Sequence, residues 1–168
     1  RGVVYATAAR FGDKDTFDRL LAMHRSSESS EESVTIAAAL MSFKQPELVA
    51  EALSLITTKA VRFQDVIYWL IFGLYNRHAK RQVWEWIIAN WAWLDENLGT
   101  DLSFFNIPNY VARTFSDVEF LKEYTAFFKD KASPKLNRSI SQGEETLSWH
   151  IAWKQRDLAS VRKFLRVK

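Results

Sequence analysis

Residues 81–94 read RQVWEWIIANWAWL, with four tryptophans, Trp84, Trp86, Trp91 and Trp93, in one short segment. Three explanations compete for such a density of rings: a membrane anchor, a stacking platform for bases or sugars, or a helix buried on more than one side. Placed on a helix, Trp84, Ile87, Ile88, Trp91, Leu94 and Leu98 fall on one stripe, while Trp86 and Trp93 form a second on roughly the opposite side. An ordinary amphipathic helix has a single apolar stripe. Two stripes predict two apolar neighbours, as for a helix lying between layers of stacked helix pairs. A membrane span needs about 20 apolar residues, and the longest apolar run, from Val66 to about Leu74, is about half that. Stacking on bases needs exposed rings beside positive charge, whereas the charges interleaved here, Glu85, Asp95 and Glu96, are acidic. The rings are therefore read as core.

The helical period extends in both directions. Apolar residues recur at three and four, Gly and Pro number only 5 and 3, and alternating β-branched runs are rare. Gly12-Asp13 reads as a stop followed by a cap. Ser29 with Glu32, and the run Ser116-Asp117-Val118-Glu119, have capping-box spacing. Pro46 and Pro134 fit first-turn positions, and Gly99 fits a C-terminal stop. These signals predict helices near 2–11, 14–26, 30–42, 46–57, 63–76, 79–98, 102–114, 117–130, 135–153 and 156–166; the seventh either begins at Pro108 or is kinked there. Connections this short favour antiparallel neighbours. The expected fold is all-α, a right-handed α-solenoid of antiparallel helix pairs (a HEAT/armadillo-like superhelix), with residues 1–168 forming a single helical-repeat domain. RSSESSEES, residues 25–33, is the most polar connection.

Composition narrows the function. The chain has 168 residues, 48% hydrophobic and 14% aromatic, enough for a sizeable core. It opens on Arg1 and reads as a piece of a longer polypeptide. The absence of cysteine removes disulfide and thiol chemistry and suits a cytoplasmic location. The net charge of +3 gathers toward the end, with 12 Lys/Arg against 7 Asp/Glu in residues 113–168. Such a tail suits either a solvated surface or anionic nucleic acid, and nucleic acid is the less favoured partner. No phosphate loop or nucleophile elbow occurs. Asn137-Arg138-Ser139 is a glycosylation sequon that matters only in a secreted protein.

Several short motifs in sequence order carry a resemblance. VRFQD (61–65), then Asn76, then Trp84, Trp86 and Asn90-Trp91, resemble the C-terminal helical domain of zinc aminopeptidases of the aminopeptidase N family, including the puromycin-sensitive and endoplasmic-reticulum members. RGVVYATAARFG with Asp18 and Leu20 is similar to an early part of that domain. Phe127-Phe128, the segment from Trp149 to Trp153, and Arg162-Lys163-Phe164-Leu165 are similar to its end. The likeness implies a non-catalytic HEAT-like C-terminal domain whose partners are a zinc-bearing catalytic domain of the same chain and peptide substrates. It would wall the peptide-binding cavity and control substrate access, with no membrane contact of its own, although the family also has membrane-anchored and lumenal members. The zinc and the hydrolysis belong to the other domain: the family's His-Glu-x-x-His helix and Gly-x-Met-Glu-Asn loop are absent here, so no catalytic or metal-binding residue is carried over. The rival reading is a stand-alone helical-repeat scaffold that binds a protein; a nucleic-acid-binding solenoid is a more distant one.

The candidate binding residues are basic. Lys59 and Arg62 precede helix 63–76, and Arg77, Lys80 and Arg81 follow it, with Asp65 the only acid from 59 to 81. One of these clusters, Arg62 or Arg77-Lys80-Arg81, is expected to hold a peptide's C-terminal carboxylate, to which a guanidinium is matched by paired hydrogen bonds. The competing reading makes them helix-end charges facing solvent. Gln64, Asp65, Trp84, Asn90 and Trp91 are expected to be structural, with Gln64-Asp65 capping and tying the turn.

Overall fold

The computed structural model describes residues 1–165. Its order is α1 (Gly2–Phe11), α2 (Lys14–Ser26), α3 (Ser30–Leu40), α4 (Pro46–Leu55), a 3₁₀ turn (Phe63–Asp65), α5 (Val66–Tyr75), α6 (Lys80–Ala89), α7 (Trp91–Leu98), a second 3₁₀ turn (Phe104–Asn106), α8 (Ile107–Ala112), α9 (Val118–Lys129) and α10 (Asn137–Leu165). The fold is all-α, with no strand among the described residues. None of these helices is long and apolar enough to cross a membrane. The chain gathers into two compact units, Arg1–Thr100 and a second that begins at Asp101.

In the first unit α3 packs against α1, α2 and α5, while α6 packs against α4 and α5. Each inner helix thus touches its next-but-one neighbour as well as an adjacent one, the connectivity of stacked helix pairs. The caps read from sequence hold the starts in place. Asp13 accepts from the Thr16 amide at 3.1 Å, Ser29 accepts from Glu32 at 3.3 Å, and Pro46 opens α4. Phe17, Ile36, Leu40, Met41, Phe43, Trp69 and Trp84 fill the space between the helices and are all fully buried.

The tryptophan segment behaves as its main stripe requires. Trp84, Ile87, Trp91, Leu94 and Leu98 are buried, and Ile88 is half-buried. The second stripe differs: Trp86 and Trp93 are only half-buried. Nor is 79–98 one uninterrupted helix, because it is divided at Asn90 into α6 and α7. Asn90 explains the break. Its Nδ2 donates to the Trp86 carbonyl at 2.8 Å, beside the Asn90 amide that donates to the same oxygen, and its backbone turns to φ −110°, ψ 17°. A short amide side chain that competes for a backbone carbonyl in this way bends a helix.

Asn76 ties the hairpin of α5 and α6 to the unit. Its Nδ2 donates to the carbonyls of Met41 and Phe43 at 2.9 and 2.7 Å, and its Oδ1 accepts from the His78 amide at 3.0 Å. One side chain thereby satisfies backbone groups in both the α3–α4 and α5–α6 connections.

The second unit is built on α10, against which α8 and α9 pack. The sequence predicts two helices, 135–153 and 156–166; the structure has one of 29 residues, Asn137–Leu165. Residues 154–157, Lys-Gln-Arg-Asp, contain no Gly or Pro breaker, so nothing interrupts the hydrogen-bond ladder. Residue 166 lies outside the described residues. Pro134 stands in a turn before α10 rather than in its first turn, with the Leu136 and Asn137 amides donating to the Ser133 carbonyl. Pro108 lies in the first turn of α8, so the seventh predicted helix starts there rather than at 102. Asp117, not Ser116, caps α9, accepting from Phe120 at 2.8 Å. Tyr124 is fully buried and donates to the Ile140 carbonyl at 3.3 Å, where α9 passes against Gly143. A Cβ at Gly143 would collide with the Tyr124 hydroxyl.

Two substitutions test this packing. Trp84→Ala and Trp91→Ala are each expected to cost roughly 3–5 kcal/mol in denaturant-melt stability, whereas the exposed Trp149→Ala should change it by less than about 0.5 kcal/mol. Equal effects from the buried and exposed rings would contradict the assignment of the core.

Candidate functional site

The turn between α4 and α5 is where the expected residues meet. Lys59, Arg62, Phe63 and Gln64 come from the turn itself and Trp93 from α7; together they line a cavity of about 530 Å³. Arg62 is oriented by two partners: its Nε donates to Asp65 Oδ2 at 2.6 Å, and its Nη1 donates to Ser30 Oγ at the start of α3 at 3.0 Å. Asp65 is 6% exposed. A buried carboxylate is costly unless paired and hydrogen-bonded, and Arg62, which also lines the cavity, meets that need. Phe63 is largely exposed, with its ring centroid 6.2 Å from that of Trp93. Lys59 is exposed.

The expectation for Gln64-Asp65 is corrected in detail. Neither side chain caps the 3₁₀ turn or α5. The Asp65 amide bonds back to the Arg62 carbonyl at 2.8 Å, and this tight turn aims the carboxylate at Arg62 instead of at a backbone amide. Gln64 is exposed and lines the cavity. Trp84 and Trp91 lie in the core and Asn90 at the α6–α7 bend.

Arg77, Lys80 and Arg81 lie beyond the opposite end of α5. Fifteen residues separate Arg62 from Arg77, or about 20 Å at helical rise, so the two clusters do not form one site. Arg77 Nε donates to His78 Nε2 at 3.1 Å, and Arg81 pairs with Glu85 at 3.0 Å along α6. Arg62 has Phe63 and Trp93 as neighbours in the cavity lining, two residues the sequence reading did not single out as site residues. The available signal was that both are aromatic and fall outside the main buried stripe.

Behind the turn, His24 of α2 meets Trp69 of α5 edge-on, with ring centroids 5.4 Å apart. His24 Nδ1 and Trp69 Nε1 are both buried without a hydrogen-bond partner. Burial holds the imidazole below its ordinary range; the nearby Asp65 charge opposes this, and Arg62 and Arg25 add to the lowering.

The histidines do not fit a zinc site. His24 faces an indole, His78 accepts from Arg77, and His150 Nδ1 lies 3.2 Å from the Phe115 carbonyl. No group of three or more His, Cys, Asp or Glu among the described residues is placed to hold a metal ion.

The first unit stacks helix pairs, and a cavity of mixed aromatic and basic lining lies at its α4–α5 turn. The ERAP1-like C-terminal domain profile matches residues 1–148, and the chain belongs to that family. Among curated relatives, it is 34% identical to aminopeptidase N of Lactococcus lactis subsp. lactis over 107 residues, covering 63% of this chain and 13% of the relative. It is 27% identical to aminopeptidase N of Lactobacillus delbrueckii subsp. lactis over 140 residues, covering 82% and 17%. Against the mitochondrial aminopeptidase 2 of Saccharomyces cerevisiae it is 23% identical over 165 residues, covering 98% and 17%. The chain spans less than a fifth of the length of each of these relatives. The resemblance read from VRFQD, Asn76 and the tryptophan segment is borne out at family level.

The half-buried His24 imidazole gives a pH test. Because folding lowers the His24 pKa, the unfolded chain takes up the proton first as pH falls. The stability held by the neutral ring is fully present above about pH 6.5, the ordinary value, and declines as pH drops below it. His24→Leu should reduce the stability difference between pH 7.5 and pH 5.5, measured by denaturant midpoints; an unchanged difference would contradict the role given to His24.

Proposed function

We propose that residues 1–168 are part of the non-catalytic C-terminal domain of a zinc-dependent aminopeptidase, a domain that walls the peptide cavity and controls substrate access. The parent's hydrolysis and its zinc belong to a catalytic domain on the same polypeptide, and peptides are the ligands this domain meets. Family membership supports the parentage. The observation that carries the binding role is the cavity at the α4–α5 turn, where Lys59 and Arg62 stand beside two aromatic rings.

In this reading Arg62 and Lys59 take the C-terminal carboxylate of the substrate. Asp65 and Ser30 hold Arg62 in one orientation, so less side-chain entropy is lost when a second carboxylate binds it. The ring pair supplies an apolar surface for the residue that carries the carboxylate. Arg77, Lys80 and Arg81 are the alternative anchor at the far end of α5. There Arg77 donates to His78 in the turn between α5 and α6, and Arg81 pairs with Glu85 along α6. The compartment proposed is the cytoplasm.

The test is kinetic, in the full-length enzyme. Lys59→Ala and Arg62→Ala should raise KM for peptides with a free C-terminus by about tenfold, the scale of one charge-assisted contact, and leave KM for C-terminally amidated peptides nearly unchanged. Lys59 is exposed, so its variant keeps the fold even if loss of the Asp65 partner disturbs Arg62→Ala. Equal effects on both peptide types would reject the carboxylate role. A free-acid effect confined to Arg77→Ala or Arg81→Ala would move the site to the other end of α5.

A further inference from the structure

The outward side of α5 carries a second feature. Its sequence, VIYWLIFGLY, is almost wholly apolar, and α3 and α6 cover only part of it. Trp69, Leu70 and Leu74 point inward and are buried; Tyr68 is 47% and Tyr75 61% exposed, with Ile71 and Phe72 half-buried between them. Helical geometry puts Gln64, Tyr68, Ile71, Phe72 and Tyr75 on one side. The row begins in the Lys59–Arg62 cavity, to which Gln64 belongs, and runs to the end of α5 next to Arg77. The rings of Tyr68 and Phe72 lie with centroids 6.3 Å apart and planes inclined by 24°. Asp65, the only acid from 59 to 81, is buried against Arg62, so this segment presents no exposed carboxylate beside the row.

We infer that this row is a track for an extended peptide, laid along α5 with its C-terminal carboxylate at Lys59 and Arg62. The inference rests on the chamber-wall reading and names the substrate class that the wall favours. Successive positions Gln64, Tyr68 and Phe72 are one helical turn apart, about 6 Å along the axis. Side chains on one side of an extended peptide recur at about 6.6 Å. Every second side chain of the peptide therefore meets a ring or the gap between two rings. From Arg62 to Arg77 the row spans about 20 Å, the length of about six extended residues. The favoured peptides carry bulky apolar side chains at alternate positions counted back from the C-terminus. Tyrosine suits such a surface because its ring offers apolar area while its hydroxyl stays wet, so the row remains soluble when no peptide is bound. Charge disfavours a second copy as the occupant. A two-fold pairing of antiparallel rows sets Lys59 and Arg62 of one chain against Arg77 of the other, and like charges across an interface are repulsive.

The experiment uses this chain and two synthetic peptides about seven residues long, enough to span the row. They have the same composition, and each is made with a free and with an amidated C-terminus: one has leucine and phenylalanine at alternate positions, the other has them in a block. Titration calorimetry should show the alternating peptide binding at least about tenfold more tightly, with NMR shifts concentrated on Tyr68, Phe72 and Tyr75. Tyr68→Ser combined with Tyr75→Ser, both at exposed positions, should abolish that preference and keep the preference for free acid over amide. Equal binding of the two peptides, or a double variant that retains the preference, overturns the track. If free-acid preference persists in those cases, the carboxylate site survives without it. Sedimentation that shows a dimer dispersed by the same double variant also overturns the track and assigns the row to self-association. No binding of either peptide overturns both readings.

Discussion

Everything at the α4–α5 turn depends on how α5 is fastened at its two ends. At the start, Asp65 is buried and Arg62 reaches it at 2.6 Å while also holding Ser30 of α3. At the finish, Asn76 donates to the Met41 and Phe43 carbonyls that follow α3. A helix as uniformly apolar as α5 has little amphipathic preference of its own for one rotation over another. The two polar clamps select that rotation. They turn Trp69 toward His24 and the core, leave Tyr68 and Tyr75 outside, and set Arg62 at the mouth of the cavity. Hydrogen bonds at both ends thus decide what burial alone leaves undecided, and each clamp reaches back to α3 or the segment after it.

Much of the fold was legible because its signals are local. Asp13 and Ser29 cap the helices their spacing announced, and Trp84, Ile87, Trp91, Leu94 and Leu98 are buried as one periodic stripe. The misses have physical causes. The bend at Asn90 depends on an amide side chain choosing a carbonyl four residues back, which periodicity does not report. The continuity of α10 follows from residues 154–157 lacking a breaker, while their polarity suggested a gap.

The site was legible only in part. The lone acid Asp65 and the nearby Arg62 stood out in sequence, and the structure joins them. Their roles were less visible. Asp65 aims at Arg62 instead of capping α5, and Gln64 lines the cavity. Phe63 and Trp93 are brought together from segments about thirty residues apart, a pairing no helical period encodes. The outward row on α5 was hidden for a similar reason: an apolar run with no polar stripe does not say which of its rings face solvent.

The measurement that tests the central claim most directly is a double-mutant cycle across the first clamp, Arg62→Leu and Asp65→Leu singly and together, read by denaturant unfolding of this chain. Arg62 is 45% exposed, so solvent screens part of the interaction. A coupling of about 1–2 kcal/mol is predicted, with Arg62→Leu alone the more damaging because it strands a buried carboxylate. Strictly additive effects would mean that Asp65 and Arg62 do not hold each other, and that some other contact sets the rotation of α5.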